Sequence, residues 1–410
     1  MVSIKERDMK TEIRRQENSS KITMTKKSLI QHLIRFGAST LADIAKDLDL
    51  SIPTVAKFTT ELIKEGYILD LGKTDAFTGR KPNLYGLNPK AGYFVGIDVQ
   101  HKKVCLGMTD FAGTLMGDII SVPYLLEDTP QALDRLYTII KDYVGTHSIS
   151  KKKIMGIGVN IAGKVNPMTG YSYSYFQFDK EPLADTMTQQ IGFPVYLDND
   201  SRAMAYGEYM SGDFKEDKKS LLFINLNWGL GAGLIIDGKP YYGKSGFSGE
   251  IGHICALDNE IICNCGKKGC LETEVSGLAV ERILHERMAQ GCSTVMADYI
   301  QKKGELLLED FVDAVHKGDV LSIEIVEQLG FILGRALAGL VNLLNPDMVM
   351  VGGPLAGTGD YLRYPMQSAI QKYSLSLLIR ETQVSLSPMN ERSALIGACL
   401  LSRSRILDII

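Results

Sequence analysis

Residues 220–243 read SLLFINLNWGLGAGLIIDGKPYYG, and this stretch decides the fold because it begins a second series of strands. Two apolar runs flank its glycine-rich segment, which predicts two neighbouring strands. Earlier in the chain, residues 93–99, 103–109 and 116–122 predict strands, followed by a helix around 130–145 and a strand at 154–159. A series of strands and helices that occurs twice indicates an α/β protein with two similar lobes and a cleft between them.

The remaining elements extend this pattern. FPVYLDND at 193–200 predicts a strand that runs into a helix beginning near Ser201. Long helical segments cover about 275–345, and MVMVGGP at 348–354 predicts a strand that ends in glycines. Ligands of such sheets usually bind beyond the carboxyl ends of the strands, and the polar residues of this sequence gather at those ends.

Length and composition indicate a soluble globular protein. The 410 residues predict two or three domains, and 45% hydrophobic and 23% charged residues are ordinary values. No apolar run approaches the roughly 20 residues of a membrane span, and the charged N-terminus is not a secretory signal. Seven cysteines, an odd number with three clustered, favour a reducing compartment and metal binding over disulfides. We therefore expect a cytoplasmic protein without a membrane partner.

The net charge of −3 is unevenly distributed along the chain. Residues 1–90 contain 16 lysines and arginines against 11 acidic residues, whereas the other 320 residues contain 29 against 37. A basic N-terminal region on an acidic body is typical of a nucleic-acid-binding domain attached to a sensor or enzyme, although so small an excess is weak support.

Residues 23–90, here called the head, predict three short helices and two strands. Apolar residues recur at helical spacing in three segments; Gly37 ends the first, and Thr40 and Ser51 can cap the next two. About three residues join the last two helices, as in a helix-turn-helix. Strands near 67–69 and 83–85 flank TDAFTGRKP, a predicted wing. We predict a winged helix-turn-helix; a small helical interaction domain is the alternative. Residues 1–22 predict a flexible or loosely helical arm.

The candidate DNA contacts are Ser51, Thr54, Lys57, Arg80 and Lys81. Hydroxyl groups suit phosphates or base edges, and a lysine suits a phosphate. An arginine near the tip of a wing can enter the narrow minor groove, where the potential is most negative. The head therefore predicts double-stranded operator DNA as a partner.

Asn199 and Asp200 stand where a strand ends and a helix begins. An amide and a carboxylate side by side can bind two hydroxyls of a polyol, and the carboxylate could deprotonate one of them. Helix capping is an equally good explanation of the pair.

Two glycine-rich segments contain candidate phosphate contacts, namely Gly229, Gly231 and Gly353. Glycine lets backbone N–H groups approach an anion closely. Tight turns explain such segments as well, and neither segment fits the P-loop or dinucleotide pattern.

Three cysteines lie within CNCGKKGCLE, residues 263–272. With His253, the cysteines Cys263, Cys265 and Cys270 make a Cys₃His set, which is typical of a structural zinc site because no position remains open for a catalytic water. Cys255 could replace one ligand. Ordinary reduced cysteines remain the alternative, and a redox pair is disfavoured by the spacing.

Taken together, these motifs resemble the ROK family (repressors, open reading frames, sugar kinases). GEIGH at 249–253 and CNCGKKGCLE are the specific part of a match over about 92–403, which also includes GIDV, GLGAG, VGGP and ALIGAC. The resemblance implies a two-lobed, actin-like (ribonuclease H-like) sugar-kinase fold in residues 91–410, with the second lobe at about 220–390, and a homodimer or homotetramer. Members with a winged helix are similar to sugar-responsive repressors of the xylose and N-acetylglucosamine type.

The resemblance also implies roles for individual residues. Asn199, Asp200, Glu250, His253 and Glu272 match the family's ligands for sugar hydroxyls. His253 would use one ring nitrogen for zinc and offer the other to the sugar. In kinase members, the aspartate that matches Asp200 is the catalytic base.

The departures from the family pattern concern the nucleotide and the rim of the sugar site. Gln100-His101-Lys102 stand where kinase members have a small, phosphate-binding turn. Arg202 stands where asparagine is usual, and YSYFQF at 173–178 replaces a Pro-Asn-Leu-like loop. We therefore expect that sugar binding is retained but altered at its rim, and that ATP and Mg²⁺ binding is lost.

The sequence thus predicts a sugar-responsive DNA-binding transcriptional regulator, a repressor of carbohydrate-utilisation genes. Two alternatives remain open: an active ATP-dependent sugar kinase that carries a DNA-binding head, and a DNA-binding scaffold without a ligand. Asp200 and the GLGAG turn favour the kinase, whereas Gln100 and His101 oppose it.

Overall fold

Three helices and a three-stranded antiparallel sheet form the head, in a computed structural model that describes residues 23–73, 82–146, 151–178, 180–212, 218–389 and 392–410. In chain order these elements are α1 (23–36), β1 (Ser39–Thr40), α2 (Leu41–Asp47), α3 (Ile52–Lys64), β2 (Ile68–Lys73) and β3 (Asn83–Leu87). The strand order is β1-β3-β2. Strand β1 was not predicted, since two residues carry no periodic pattern.

Both predicted caps in the head are confirmed. The Thr40 hydroxyl accepts the N–H of Asp43, whose carboxylate accepts the Thr40 N–H at 3.1 Å, so α2 begins with a reciprocal capping box. The Ser51 hydroxyl accepts the Thr54 N–H at 3.3 Å and begins α3. Gly37, with φ at 74°, ends α1.

Lobe 1 contains the first five-stranded sheet. Its elements are β4 (Tyr93–Val99), β5 (Lys103–Asp110), β6 (Ile120–Pro123), α4 (Pro130–Thr146), β7 (Ile154–Ile161), β8 (Val165–Asn166), β9 (Tyr171–Ser172), α5 (Leu183–Ile191), β10 (Val195–Asn199) and α6 (Asp200–Ser211). The sheet order is β10-β7-β4-β5-β6, with β4, β7 and β10 parallel. The predicted strand at 116–122 is wrong in its bounds, because Leu115 and Met116 bond only to the end of β5 before the pairing is interrupted.

Lobe 2 repeats the same topology. Its elements are β11 (Leu221–Leu226), β12 (Leu230–Ile236), β13 (Lys239–Pro240), α7 (Gly277–Ala289), α8 (Met296–Lys303), α9 (Leu308–His316), α10 (Val320–Leu344), β14 (Met348–Gly352), α11 (Asp360–Tyr373), α12 (Ser376–Glu381), β15 (Gln383–Leu386) and α13 (Arg392–Ile406). The order β13-β12-β11-β14-β15 matches that of lobe 1, so the predicted duplication is confirmed.

The last helix of each lobe packs against the sheet of the other lobe. Helix α6 follows β10 but contacts β11 and β12, whereas α13 follows β15 but contacts β4, β5 and β7. The two helices also contact each other. This exchange holds the lobes together and places the start of α6 at the cleft between them.

Glycines allow α13 to lie directly on its neighbours. A Cβ atom on Gly158 would lie 2.0 Å from the Ala398 carbonyl oxygen, and one on Gly397 would lie 1.9 Å from that of Ala203. A Cβ on Gly207 would meet the Ser393 oxygen at 2.2 Å. Side chains at these positions would separate the backbones that form the centre of the body.

The end of α13 packs against the head. Leu407 belongs to the same buried cluster as Leu29 and Leu33 of α1, and the Gln31 amide donates to the carbonyls of Leu407 and Asp408, each at 3.0 Å. At the other end of the head, the Tyr67 ring lies 5.6 Å from that of Phe111 in the β5–β6 connection. The head and the body therefore share apolar core as well as polar contacts.

The central packing predicts opposite effects for two helical glycines. Gly397→Ala should lower the free energy of unfolding by about 1–3 kcal/mol, because the methyl group meets backbone that cannot yield. Gly339→Ala, on an exposed face of α10 with open space at its Cβ, should instead stabilise by about 0.5–1 kcal/mol. Urea unfolding midpoints of both variants test this, and a midpoint for Gly397→Ala at or above that of the parent would contradict the backbone contact.

Candidate functional site

A cleft of about 600 Å³ lies between the lobes, at the carboxyl ends of their parallel strands. Strand β4 contributes Asp98, and the β10–α6 junction contributes Asn199 and Asp200. The opposite wall is formed by β11, β12 and the segments that contain Glu250, His253 and Glu272. All five predicted sugar ligands therefore line one cleft, as expected from parallel strands that end at one edge.

Asn199 caps α6 and also joins two elements of lobe 1. Its side-chain oxygen accepts the Arg202 N–H at 3.2 Å, and its amide donates to the Gly163 carbonyl at 3.0 Å. Helix capping, the alternative interpretation of this residue, is thus present. The side chain still lines the cleft, so capping and ligand binding do not exclude each other.

Asp200 begins α6 at the bottom of the cleft. Its Oδ1 accepts the Ser201 N–H at 2.7 Å, and its Oδ2 lies 3.5 Å from the Asn225 amide nitrogen. Burial raises the pKa of Asp200 above its usual range; hydrogen bonds from Ser201 oppose this shift, and the Glu250 carboxylate adds to it. A carboxylate with a raised pKa is chemically suited to accept a proton from a hydroxyl group.

Asn225, at the end of β11, is a site residue that sequence reasoning missed. It is 4% exposed, and its amide donates to the Ser201 hydroxyl at 3.1 Å. Its side-chain oxygen is buried and has no hydrogen-bond partner among the described residues, while the residue as a whole lines the cleft. An isolated polar residue within the apolar run LLFINL was the only signal for it.

His253 and Glu272 connect the cleft to the cysteine cluster. His253 Nδ1 lies 3.6 Å from Cys263 Sγ, while its Nε2 lies 3.7 Å from a carboxylate oxygen of Glu250. Glu272 accepts the Leu230 N–H at 2.9 Å with one oxygen and the Cys263 thiol at 3.7 Å with the other. A short 3₁₀ turn, Ile251–His253, rather than an α-helix brings Glu250 and His253 together.

The four predicted metal ligands lie in one group. The ligand atoms of His253, Cys263, Cys265 and Cys270 are all within 4.8 Å of one another, and Sγ of Cys265 and Cys270 are 3.6 Å apart. Tetrahedral zinc with Zn–S bonds of about 2.3 Å requires sulfur atoms about 3.8 Å apart, so the arrangement fits such an ion. Cys255, which pairs with Cys270 across a β-bridge, is not part of this group.

A buried charge cluster lies directly behind the cleft. Asp198 is 2% exposed and accepts Arg202 Nε at 2.5 Å and Arg405 Nη2 at 2.7 Å. Both guanidinium groups lie over the Tyr242 ring, at 4.9 and 5.8 Å from its centroid. Arg202, one of the departures from the family pattern, therefore joins β10 to α6 instead of facing a ligand.

Two side chains of the β4–β5 turn bond to other residues of the chain. The Gln100 amide donates to Asp98 at 2.7 Å, and Lys102 forms an ion pair with Glu305 of lobe 2. Gln100, His101 and Lys102, the predicted departures from the family's phosphate-binding turn, all line the cleft.

The candidate nucleotide glycines are required by packing. A Cβ on Gly229 would lie 2.9 Å from a Glu272 carboxylate oxygen, and one on Gly231 would lie 2.4 Å from the Ser201 hydroxyl. Gly353 has φ at 89° and would meet the Leu226 carbonyl. The structure thus provides a steric reason for each glycine that needs no phosphate.

The candidate DNA contacts lie on the head. Ser51 and Lys57 are exposed on α3, whereas Thr54 is half-buried and shares a 2.8 Å hydrogen bond with the Ser51 hydroxyl. Arg80 and Lys81 lie outside the described residues.

The buried charge cluster generates a stability prediction. Asp198→Asn should lower the free energy of unfolding by about 3–5 kcal/mol, because Arg202 and Arg405 would remain buried without an anionic partner. Asp313→Asn, which removes an exposed i,i+4 pair with Lys317, is the matched control and should change stability little. Chemical unfolding of both variants measures the difference, and equal effects would contradict the role of Asp198.

Comparison with known proteins places this site in a family. Residues 95–405 match the model of the ROK family. The xylose repressor of Caldicellulosiruptor bescii is 28% identical over 367 residues, which cover 89% of this chain and 92% of that protein. The glucokinase of Halalkalibacterium halodurans is 28% identical over 309 residues, 74% of this chain and 93% of that protein.

A solved ROK family transcriptional regulator, a homologue of the Escherichia coli MLC protein, has the same fold. Its TM-score is 0.79 at 24% identity, and the match covers 94% of this chain and 97% of that one. The mixed α/β fold is therefore that of ROK repressors and sugar kinases. Because the family model matches most of the length of this chain, the chain belongs to the ROK family.

Proposed function

We propose that the protein is a sugar-responsive, DNA-binding transcriptional repressor. The observation that carries this proposal is the physical connection, through α13, between a polar cleft suited to a polyol and a head on which Lys57 of α3 is exposed. An alignment of 367 residues with a xylose repressor includes part of the first 90 residues of this chain, whereas the glucokinase match is about 60 residues shorter.

In this proposal the head is a winged helix-turn-helix. Helices α2 and α3 are joined by a short turn, and β2 and β3 form the hairpin. Ser51, Thr54 and Lys57 would contact operator DNA from the start and first turns of α3, while Arg80 and Lys81 remain predicted wing contacts.

Within the described residues, no helix is long and apolar enough to cross a bilayer.

The cleft would bind one sugar ring through Asn199, Asp200, Glu250, His253 and Glu272. Carboxylates accept hydrogen bonds from hydroxyl groups, and such charge-assisted bonds are the strong ones. Asn225, at the end of β11, lines the same cleft. Several acceptors around one cavity favour a neutral polyol over an anion.

A structural zinc ion would be held by His253, Cys263, Cys265 and Cys270. When bound, it supplies cross-linking, with no open position for catalysis. Since His253 Nδ1 faces the sulfur atoms, its Nε2 is free to face the cleft. Glu272 lies two residues after the ligand Cys270, so the same group would hold the second acidic ligand in place.

A working kinase is the weaker proposal. The raised pKa of Asp200 suits a catalytic base, but Gln100 is bonded to Asp98 and Lys102 to Glu305 in the turn where a phosphate would bind. The packing of Gly229, Gly231 and Gly353 also provides no support for nucleotide binding. We therefore propose a sensor without useful kinase activity.

Helix α13 would transmit the sugar signal. It contacts α6, which begins with Asp200, and its end contacts α1 of the head. A change in lobe closure would then alter the position of the two heads of a dimer on DNA. An effector that releases DNA must bind the DNA-bound form more weakly than the free form.

DNA binding with and without sugar tests the proposal. We expect at least one sugar of a mono- and disaccharide panel to weaken binding to a duplex selected from random sequences by about tenfold or more.

Asp200→Asn should lose this response but keep DNA affinity, since a charged acceptor in the cleft is removed. Lys57→Ala should instead weaken DNA binding without sugar and reduce its salt dependence. If no sugar changes DNA binding of the parent chain in gel-shift titration, or if sugar is phosphorylated at ordinary enzyme rates, the proposal is wrong.

Metal removal tests the zinc group. Cys265→Ser should lose zinc and sugar binding together, because His253 is a ligand and Glu272 lies two residues after the ligand Cys270. Cys292→Ser changes an exposed cysteine between α7 and α8 and should retain both. Elemental analysis and sugar-induced shifts in Tm provide the two measurements. Retained sugar binding in a zinc-free protein would show that the metal does not position the ligands.

A further inference from the structure

Aromatic side chains are concentrated in two segments beside the cleft. Residues 171–178 contain five of them, and Phe247 lies in the second segment. The Tyr173 ring meets the Phe247 ring edge-on with centroids 5.3 Å apart. Tyr173 is 48% exposed and Phe178 is 43% exposed, so part of this surface faces solvent.

Hydrogen bonds tie Tyr173 to the wall of the sugar cleft. The Tyr173 N–H donates to the Lys164 carbonyl at 2.8 Å, and the Lys164 N–H donates to the Ser174 hydroxyl at 2.9 Å. The preceding residue, Gly163, lines the cleft and accepts the Asn199 amide at 3.0 Å. Through Lys164 and Gly163, Tyr173 is therefore connected to Asn199, a proposed sugar ligand.

Phe247 lies next to residues of the cleft wall on the other lobe. It directly precedes Ser248 and Gly249, which line the cleft and lead to Glu250. Its neighbour Gly246 accepts Arg202 Nη1 at 3.0 Å, which fixes the segment against the buried charge cluster. The contact of Tyr173 with Phe247 thus joins two segments that each continue into the cleft wall.

The loop that carries Tyr173 is held in one conformation. Phe176 has φ at 62°, which is rare for a bulky residue, and its side chain is buried in the core of lobe 1. Its N–H donates to the Asp128 carboxylate at 2.5 Å. Such a conformation persists only where surrounding contacts enforce it, and exposed aromatic rings on a fixed loop are available for a ligand without an ordering cost.

We propose that Tyr173 and Phe247 form a second subsite that binds a further ring of the effector, which would make the effector a disaccharide or larger glycoside. Sugar rings have apolar C–H faces, and an aromatic ring buries such a face while the Tyr173 hydroxyl can bond to a sugar hydroxyl. Gly163, which precedes Lys164, and Ser248, which follows Phe247, line the cleft, so the two rings lie next to the wall of the first site. This inference rests on the proposed function, because the first ring is placed at Asn199 and Asp200.

Matched mono- and disaccharides test the subsite on the full-length protein. Calorimetric titration would compare xylose with xylobiose, glucose with cellobiose and maltose, and N-acetylglucosamine with its β-1,4-linked dimer. We expect at least one disaccharide to bind about tenfold more tightly than its monosaccharide. Tyr173→Ala and Phe247→Ala should each remove most of this difference and leave the monosaccharide Kd within about twofold. Tyr361→Ala, an exposed tyrosine on α11, is the matched control.

The outcomes separate this inference from the proposed function. If monosaccharides bind and no disaccharide binds more tightly, the second subsite is wrong and the sugar sensor stands. A disaccharide preference that both variants retain would also overturn the subsite. If no sugar binds the parent protein, the sugar sensor itself fails. Unchanged Tm values of the variants without sugar would show that their folds are intact.

Discussion

Direct backbone contact of α13 with α6 and with the sheet of lobe 1 is the constraint on which the rest of the structure depends. Gly158, Gly207 and Gly397 permit this contact, since a Cβ atom at any of them would lie within 2.2 Å of a carbonyl oxygen. The same helix reaches the cleft wall at Ala394 and the head at Ile406. A rigid element that contacts both sites can communicate a change in one to the other, because close-packed interiors shift between discrete arrangements rather than deform freely.

Within the cleft, the cysteine group connects residues from separate segments of the chain. CNCGKKGCLE folds back on itself through a bridge between Ile262 and Lys268, which brings Cys263, Cys265 and Cys270 to one point. His253 and Glu272 flank that point, and each presents a second polar atom toward the cleft wall. Metal coordination and ligand recognition would therefore share side chains, a design in which supporting contacts orient the groups that touch the ligand.

Much of the fold was predictable because its signals are local. Thr40 and Ser51 cap helices where the sequence places them, and the strands that flank GLGAG follow from apolar runs on either side of glycines. Ligand spacing predicted the cysteine group for the same reason, since four residues within twenty positions supply it. Asn225 was missed because one polar residue in a strand is informative only when its partners across the cleft are known. Strand β6 was misplaced because its pairing with β5 is interrupted beyond Leu115.

The sequence by itself determined the chain order of the main strands and helices, the duplicated α/β pattern, the caps of the head and the residue types of the metal group. These depend on periodicity and on neighbours within a few positions. Only the tertiary structure decided that Arg202 pairs with Asp198, that Gln100 bonds to Asp98, and that the Tyr173 ring meets the Phe247 ring. The last contact joins residues 74 positions apart on different lobes, and local pattern does not encode pairings that arise when separate elements pack.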